Sequence, residues 1–316
     1  MNRIAAISIA LAALLIAAVA AVVLPSGSSA PAAAPIANEM VVRSGGAQIP
    51  ATPRRIVSVN PCADALLMQL ADANQIASVS HYSHDKRATS IPLEQAQLFP
   101  ATSGTAEEIL AMQPDLVVAG SHVARPTARA LERLNIPLVK LMIPQSVAES
   151  QEQIATLAKI VGKPERGVQL NKNINAAFTR AKPVDDENIP ALIWRSGGLV
   201  PGGGTLPDEL LRRTGFKNVS DSYGLKQWDI LPLEHLVARP SRILFSNGVQ
   251  DKATEKAAVQ ESRQTDRTLS HPVLKKLAHR ITIAHYPERL LHCAGPTLIE
   301  ATMVLSAARR KLKGSP

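Results

Sequence analysis

What most constrains this chain is a local pattern repeated between residues 54 and 142: a short apolar run meets a helix-forming segment through a tight polar loop. Residues 54–67 run Arg-Arg-Ile-Val-Ser-Val-Asn-Pro-Cys-Ala-Asp-Ala-Leu-Leu, and residues 76–84 run Ile-Ala-Ser-Val-Ser-His-Tyr-Ser-His. Residues 105–120 run Thr-Ala-Glu-Glu-Ile-Leu-Ala-Met-Gln-Pro-Asp-Leu-Val-Val-Ala-Gly. The apolar runs at 56–59, 76–79, 116–119 and 138–142 are expected as strands, with helices at 63–70 and 125–134. Thr105 is a good N-cap, and Glu107 and Glu108 in the first turn suit the helix dipole, with Pro114 as the stop. Strands alternating with helices imply a mostly parallel sheet. In such sheets ligands sit on loops at the carboxyl ends of the strands.

The rhythm then changes. Residues 146–161 and 165–182 are helical with no strand between them. Ser146 and Glu149 have capping-box spacing. The second helix follows Gly162-Lys163-Pro164 and stops before Pro183. It would be roughly 27 Å long, enough for a rigid strut between two α/β halves. After a polar link at 183–188, strands are expected at 191–194, 242–245 and 281–283, and helices at 206–213, 232–237, 251–266, 271–278 and 295–313. A Gly-rich loop spans 196–205; it lacks the Lys-Ser/Thr ending of a phosphate loop and is expected as a cleft rim. Glu108 to Pro114 and Glu234 to Pro240 place Glu, Leu and Pro at matching offsets before an apolar strand. That echo suggests two similar lobes.

The formal net charge is +9, but Lys and Arg are scattered except at Arg309-Arg310-Lys311. Nucleic-acid binding calls for a patch and a recognition module, and neither is present. The charge is expected to be surface solvation, with attraction of an anionic ligand or membrane as the functional alternative. Met1-Asn2-Arg3, the apolar run 4–24 and the Ser/Ala/Pro-rich segment 25–37 form an export signal. The run also suffices to span a bilayer, at about 20 residues. Pro31 and Pro35 disturb a clean cleavage site, so a cleaved leader is expected and an uncleaved anchor is the alternative. No Cys ends the run, so a lipid-modified terminus is not expected. Either way the body is expected outside the inner membrane, in the periplasm. Its two cysteines, Cys62 and Cys293, do not make a disulfide framework, although export permits a bond.

The segment Arg55-Ile-Val-Ser-Val-Asn-Pro, residues 105–120 and residues 232–240 resemble the periplasmic-binding-protein family of iron-complex and cobalamin ABC importers. The likeness covers roughly residues 53–312. It implies two α/β lobes with mostly parallel sheets, joined by a single long helix at 165–182, with ligand in the cleft between them. The chain would then divide into a leader and linker (1–37), an N-terminal lobe (38–145), a helical connection (146–183) and a C-terminal lobe (184–316). The resemblance places Asn60, Pro61 and Cys62, then His81 and Tyr82, then Ser103 and Gly104, then Ser121 and His122 on one side of the cleft. Trp194, Arg195 and Gly197, Trp228, Arg289 and Cys293 face them. Family members often carry a permease-docking Glu after the Asn-Pro loop; here that position is Ala65, so Asp64 is considered beside Asp208 and Glu209 on the other lobe.

Trp194 and Trp228 suit stacking on a flat chelate or corrin, against core packing as the plainer role. Tyr82 can ligate or stack. Arg195 and Arg289 can fork onto a carboxylate or hydroxamate, though each is more often a structural ion pair. His81 and His84 form a His-x-x-His pair in a loop; a metal site needs further ligands at fixed geometry, and convergence of His122, His285 and His292 is not demanded by spacing. No resident metal or cofactor is expected. Cys62 and Cys293 have three readings: small buried residues, soft ligand contacts, or a cross-lobe disulfide, which needs Cα atoms within about 7 Å.

The expected function is capture of a metal chelate for an ABC permease and its ATPase, with no catalysis and with the protein acting as a monomer. A ferric siderophore ranks first and a corrinoid or haem second. The membrane is met only through an uncleaved N-terminal segment. A competing class is an exported thiol enzyme using Cys62 with His81 or His122 as base, which needs hydrogen-bond contact and an orienting group.

Overall fold

Apolar runs buried on both faces build two separate sheets in this structure, a computed structural model that describes residues 40–44, 47–247 and 280–314. The first sheet contains β1 (Val41–Ser44), β2 (Ile56–Ser58), β3 (Ile76–Ser80), β4 (Ala101–Thr102), β5 (Leu116–Gly120) and β6 (Leu138–Leu141), in the order β1-β6-β5-β2-β3-β4. β2 to β6 run parallel, whereas β1 joins β6 antiparallel with Val41 opposite Leu141. The connections carry α1 (Pro61–Leu70), α2 (Leu93–Ala96), α3 (Ala106–Ala111) and α4 (Arg125–Arg133).

The helices start where their caps dictate. The Asn60 side chain accepts from the Cys62 and Ala63 amides and opens α1. Thr105 accepts from Glu108 N and opens α3. α5 (Val147–Ile160) is capped by Ser146, but the Glu149 carboxylate accepts from Gln145 N at 2.7 Å, one residue before the position a capping box uses. α6 (Pro164–Ala181) begins with Pro in its first turn, where a missing N–H costs nothing. It packs on α5 along one side.

The second half begins with β7 (Ile189–Trp194). β8 (Leu199–Pro201) leads into α7 (Leu206–Arg213), β9 (Phe216–Asn218), β10 (Trp228–Ile230), α8 (Leu233–Ala238), β11 (Ile243–Ser246) and β12 (Thr282–His285). α9 (Thr297–Leu312) ends the described chain and packs on α6. The sheet order is β12-β11-β7-β9, all parallel, and β8 pairs with β10 as a separate antiparallel ribbon. This matches β6-β5-β2-β3 in both order and direction. The Glu-to-Pro echo falls on α3 before β5 and on α8 before β11, the corresponding strands of the two sheets.

The architecture is thus the mixed α/β, mostly parallel one expected. β1, β4, β9 and the β8–β10 ribbon were not foreseen; each is short and carries little apolar pattern. The helices expected at 251–266 and 271–278, and the leader 1–37, lie outside the described residues. Among the described residues no helix is long and apolar enough to cross a membrane. One apolar core runs from Ile56 and Leu116 through Ile154 and Ile174 to Ile193 and Phe245. Arg309 of α9, almost fully buried, ties the 183–188 link in place through Asp185 and the Glu187 carbonyl, both at 2.5 Å.

Candidate ligand-binding cleft

The carboxyl ends of β2, β3, β5 and β6 all point at one cavity of about 570 Å³. From the first half its wall is made by Asn60, Pro61 and Cys62 at the head of α1, Tyr82 in the turn after β3, Gly120 to His122 after β5, and residues 141–145 after β6. The facing wall comes from Leu206, Pro207 and Leu210 of α7, Trp228 of β10, residues 290–294 and Leu298 of α9. Arg87 is the one Lys or Arg lining it among the described residues, and it pairs with Asp85.

Cys62 and Cys293 are joined as a disulfide with Cα atoms 5.2 Å apart. The bond lies in the cavity lining and links α1 to the segment before α9. Of the three readings of the cysteines, the structure selects the disulfide. It also removes the thiol nucleophile that an enzyme using Cys62 requires. Beside it, His292 is held below the usual imidazole range by burial and then by the Arg195 charge.

Eight of the expected residues meet at the cavity: Asn60, Pro61, Cys62, Tyr82, Ser121, His122, Trp228 and Cys293. Tyr82 and Trp228 keep 51% and 37% of their surface exposed, so each offers a ring face from an opposite wall.

The remainder lie elsewhere, for identifiable reasons. Trp194 is 2% exposed and packs in the core of the second half, against Leu192, Val200 and Leu231. The β8–β10 ribbon folds over it. Gly198, at φ +83°, brings the chain so near that a Cβ there would lie 3.4 Å from the indole. Arg195 forks onto Glu288 at 2.6 Å and stacks over Trp228. Arg289 binds the Glu300 carboxylate. Gly197 is exposed in the turn before β8. His81 sits against the Tyr82 ring with Nδ1 3.2 Å from the Thr102 carbonyl, while His84 faces the Ala96 carbonyl. Ser103 and Gly104 belong to the β4 edge, where Ser103 N donates to Glu108 and the Gly104 carbonyl accepts from Thr127.

The docking carboxylates are corrected most sharply. Asp64 is wholly buried; its Oδ2 accepts from Ser80 N at 2.9 Å and from the Ser83 hydroxyl at 2.6 Å. Burial pushes its carboxyl up to about 7, against the lowering effect of hydrogen bonds from Ser58, Ser83 and Ser80. It braces the turn that carries Tyr82 and presents nothing to a partner. Asp208 accepts from Gly204 N and pairs with Arg212, and its side chain is only 10% exposed. Glu209 accepts from Val147 N at 2.8 Å and pairs with Arg213. Both carboxylates are committed inside the chain.

The residues missed from the sequence are mostly apolar: Leu141 at the end of β6 with Met142 and Ile143 beyond it, and Leu290, Leu291 and Leu298 opposite. Runs after a strand and before a helix look like ordinary core. The available signal was position, at a strand's carboxyl end.

Two parallel α/β halves of the same strand order meet at one cavity, walled by strand-end loops of the first and by α7, Trp228 and residues 290–294 of the second. The chain belongs to the periplasmic binding protein family, whose sequence profile matches residues 56–276, well over half its length. It is similar to the cobalamin-binding protein of Halobacterium salinarum, 22% identical over 69% of this chain and 61% of that protein. The chain therefore spans about three fifths of the length of the curated relatives it matches. Among solved structures it resembles a periplasmic heme-binding protein from Pseudomonas aeruginosa, with TM-score 0.59 and 19% identity over 81% of this chain and 92% of that one. The vitamin B12 binding protein BtuF of Vibrio cholerae is alike at TM-score 0.59 and 17% identity, over 84% and 99%. At these identities the likeness is one of fold.

Proposed function

We propose that this protein captures a metal chelate in the cleft outside the inner membrane and delivers it to an ABC permease and its ATPase, with no chemistry of its own. The carrying observation is the cavity itself: a preformed space between two lobes, apolar on both walls, with Asn60, Ser121 and His122 as placed polar groups. Sites for small molecules are built this way, mostly apolar with a few placed polar groups. α6, running between the two sheets in sequence, acts as the strut that limits hinge motion.

Among chelates, a flat one with apolar faces fits better than an anionic siderophore. The basic net charge favours an anionic siderophore, yet the lining cation Arg87 is ion-paired and Arg195 is held by Glu288. Leu141, Met142, Ile143, Leu206 and Leu210 offer a surface suited to a tetrapyrrole, and Tyr82 and Trp228 offer ring faces. The cobalamin- and heme-binding relatives support the same order. Ferric siderophore capture remains the second reading, supported by Asn60, Ser121 and His122 as polar contacts on the first wall.

Tryptophan fluorescence of the exported body, titrated with haem, cobalamin, ferric hydroxamates and ferric citrate with inner-filter controls, tests this. Saturable one-to-one quenching by haem or cobalamin at micromolar or tighter affinity supports the tetrapyrrole order. Quenching by hydroxamates alone reverses it. No response to any of the four removes the chelate reading.

A further inference from the structure

The cleft is closed at one corner by a segment that belongs to the second half in sequence but is seated on the first. Residues 288–296 lie between β12 and α9, and residue 297 opens α9. Yet Ser90 donates its hydroxyl to the Arg289 carbonyl at 3.1 Å, and Gly295 N donates to the Ser150 hydroxyl at 2.9 Å. Gly295, at φ +75°, approaches α1 so closely that a Cβ there would stand 2.7 Å from a Leu66 methyl. On its other side the segment is held to the second half, by Glu288 on Arg195 and by Leu290 in the core. The Cys62–Cys293 bond crosses this seam, joining residues 231 apart in sequence, and both cysteines line the cavity.

We propose that the Cys62–Cys293 disulfide is a covalent latch that sets how far the cleft opens, and thereby how long a ligand stays. Hydrogen bonds along the seam can exchange with water as the lobes part; the disulfide cannot. With the bond intact, opening is confined to the part of the cavity rim away from Cys62 and Cys293. A dithiol reductant removes the latch: its two thiols become a disulfide, and the two electrons and two protons convert the Sγ–Sγ bond into two thiols. The corner then splays and the ligand leaves faster. The consequence for ligand residence rests on the chelate-capture reading; the consequence for opening does not.

The test therefore starts without ligand. Hydrogen exchange of residues 288–297 and small-angle scattering are measured on the oxidised protein, on the same protein after dithiothreitol, and on Cys62→Ser/Cys293→Ser. The latch predicts exchange at least about tenfold faster across 288–297, since local opening sets that rate, and a larger radius of gyration without the bond. Equal exchange and equal dimensions in both states overturn it, as does titration of two free thiols in the oxidised protein. Reduction of the folded wild type keeps the test valid if the double variant fails to fold. Stopped-flow release of haem or cobalamin follows, with dissociation about tenfold or more faster in the reduced protein. An unchanged release rate overturns the residence half of the proposal. Failure of both probes to bind, with opening still redox-dependent, discards the tetrapyrrole order and leaves the latch standing.

Discussion

The two halves share a strand order and use it differently. In the first, the carboxyl ends of β2, β5 and β6 open straight onto the cavity, so backbone turns and the side chains of Asn60, Ser121 and His122 reach it. In the second, the corresponding ends of β7 and β11 are sealed: Trp194 and Ser246 are buried, and the β8–β10 ribbon and the Arg195–Glu288 pair cover them. That half meets the cavity instead with the side of α7 and with the segment before α9. One topology thus reaches the cavity through loop ends in one half and through helix flank in the other, and both walls carry apolar side chains. A flat ligand with apolar faces fits between them.

The sharpest way to break this contrast is to exchange the roles of the two tryptophans. Trp194→Ala is expected to destabilise the fold by about 3–5 kcal/mol in urea unfolding, as loss of a large core side chain does. Trp228→Ala should stay within about 1 kcal/mol, in the range of exposed sites, while removing most of the ligand-induced fluorescence change. Equal stability losses would mean the ribbon does not seal the second half.

Next in size is the pH response of the first half. The Asp64 carboxyl is raised from 3.8 to about 7, so between these values the folded protein holds a proton that the unfolded chain has lost. Stability present at pH 4 therefore declines as pH rises toward about 7, by at most about 1.4 kcal/mol per unit, and levels off above. Asp85, held down to about 2 chiefly by Arg87, acts with the opposite sign and loses its contribution as pH falls below 4. Urea midpoints across pH 4–8 should show the decline in wild type and lose it in Asp64→Asn, leaving only the rise with pH that the lowered His292 imidazole dictates; a decline kept by the variant would assign it to another group.

Within the 81–84 turn, Tyr82→Ala should weaken ligand by about 1 kcal/mol, roughly fivefold to tenfold, while His81→Ala should leave affinity unchanged. Calorimetric titration separates them, and equal losses would place His81 in the site. The smallest effect is expected at Arg195→Gln. Its pair with Glu288 is partly exposed, with side chains at 26% and 28%, so about 0.5–1 kcal/mol of stability is at stake. A loss of several kcal/mol would show that the seal on the second half depends on that pair.

The first half was the more legible in sequence because its elements announce themselves. Buried strands read as apolar runs, and Asn60, Thr105 and Ser146 mark helix starts by capping chemistry that depends on a few neighbouring residues. The second half depends on contacts that local patterns do not encode. Trp194 ends a strand just as a cleft residue would; only the distant ribbon, whose three-residue strands carry no clear alternation, buries it. Asp64 looked like a surface acid next to Ala65, yet its partners Ser80 and Ser83 lie on the next strand and turn. The disulfide was legible only as an option, because pairing residues so far apart is decided by how the halves meet.

The antiparallel seat of β1 gives the molecule a front and a back. Its first end lies beside the last residue of β6, and the Met40 carbonyl accepts from Met142 N and from the Gln153 side chain, both cavity residues. Residue 40 therefore sits beside the rim of the cavity. α9 starts at the cavity and carries Arg309 to the amino end of β7, where the 183–188 link arrives. A surface tether made through the last turn of α9 would sit about 24 Å along the helix from the cavity and leave that rim free.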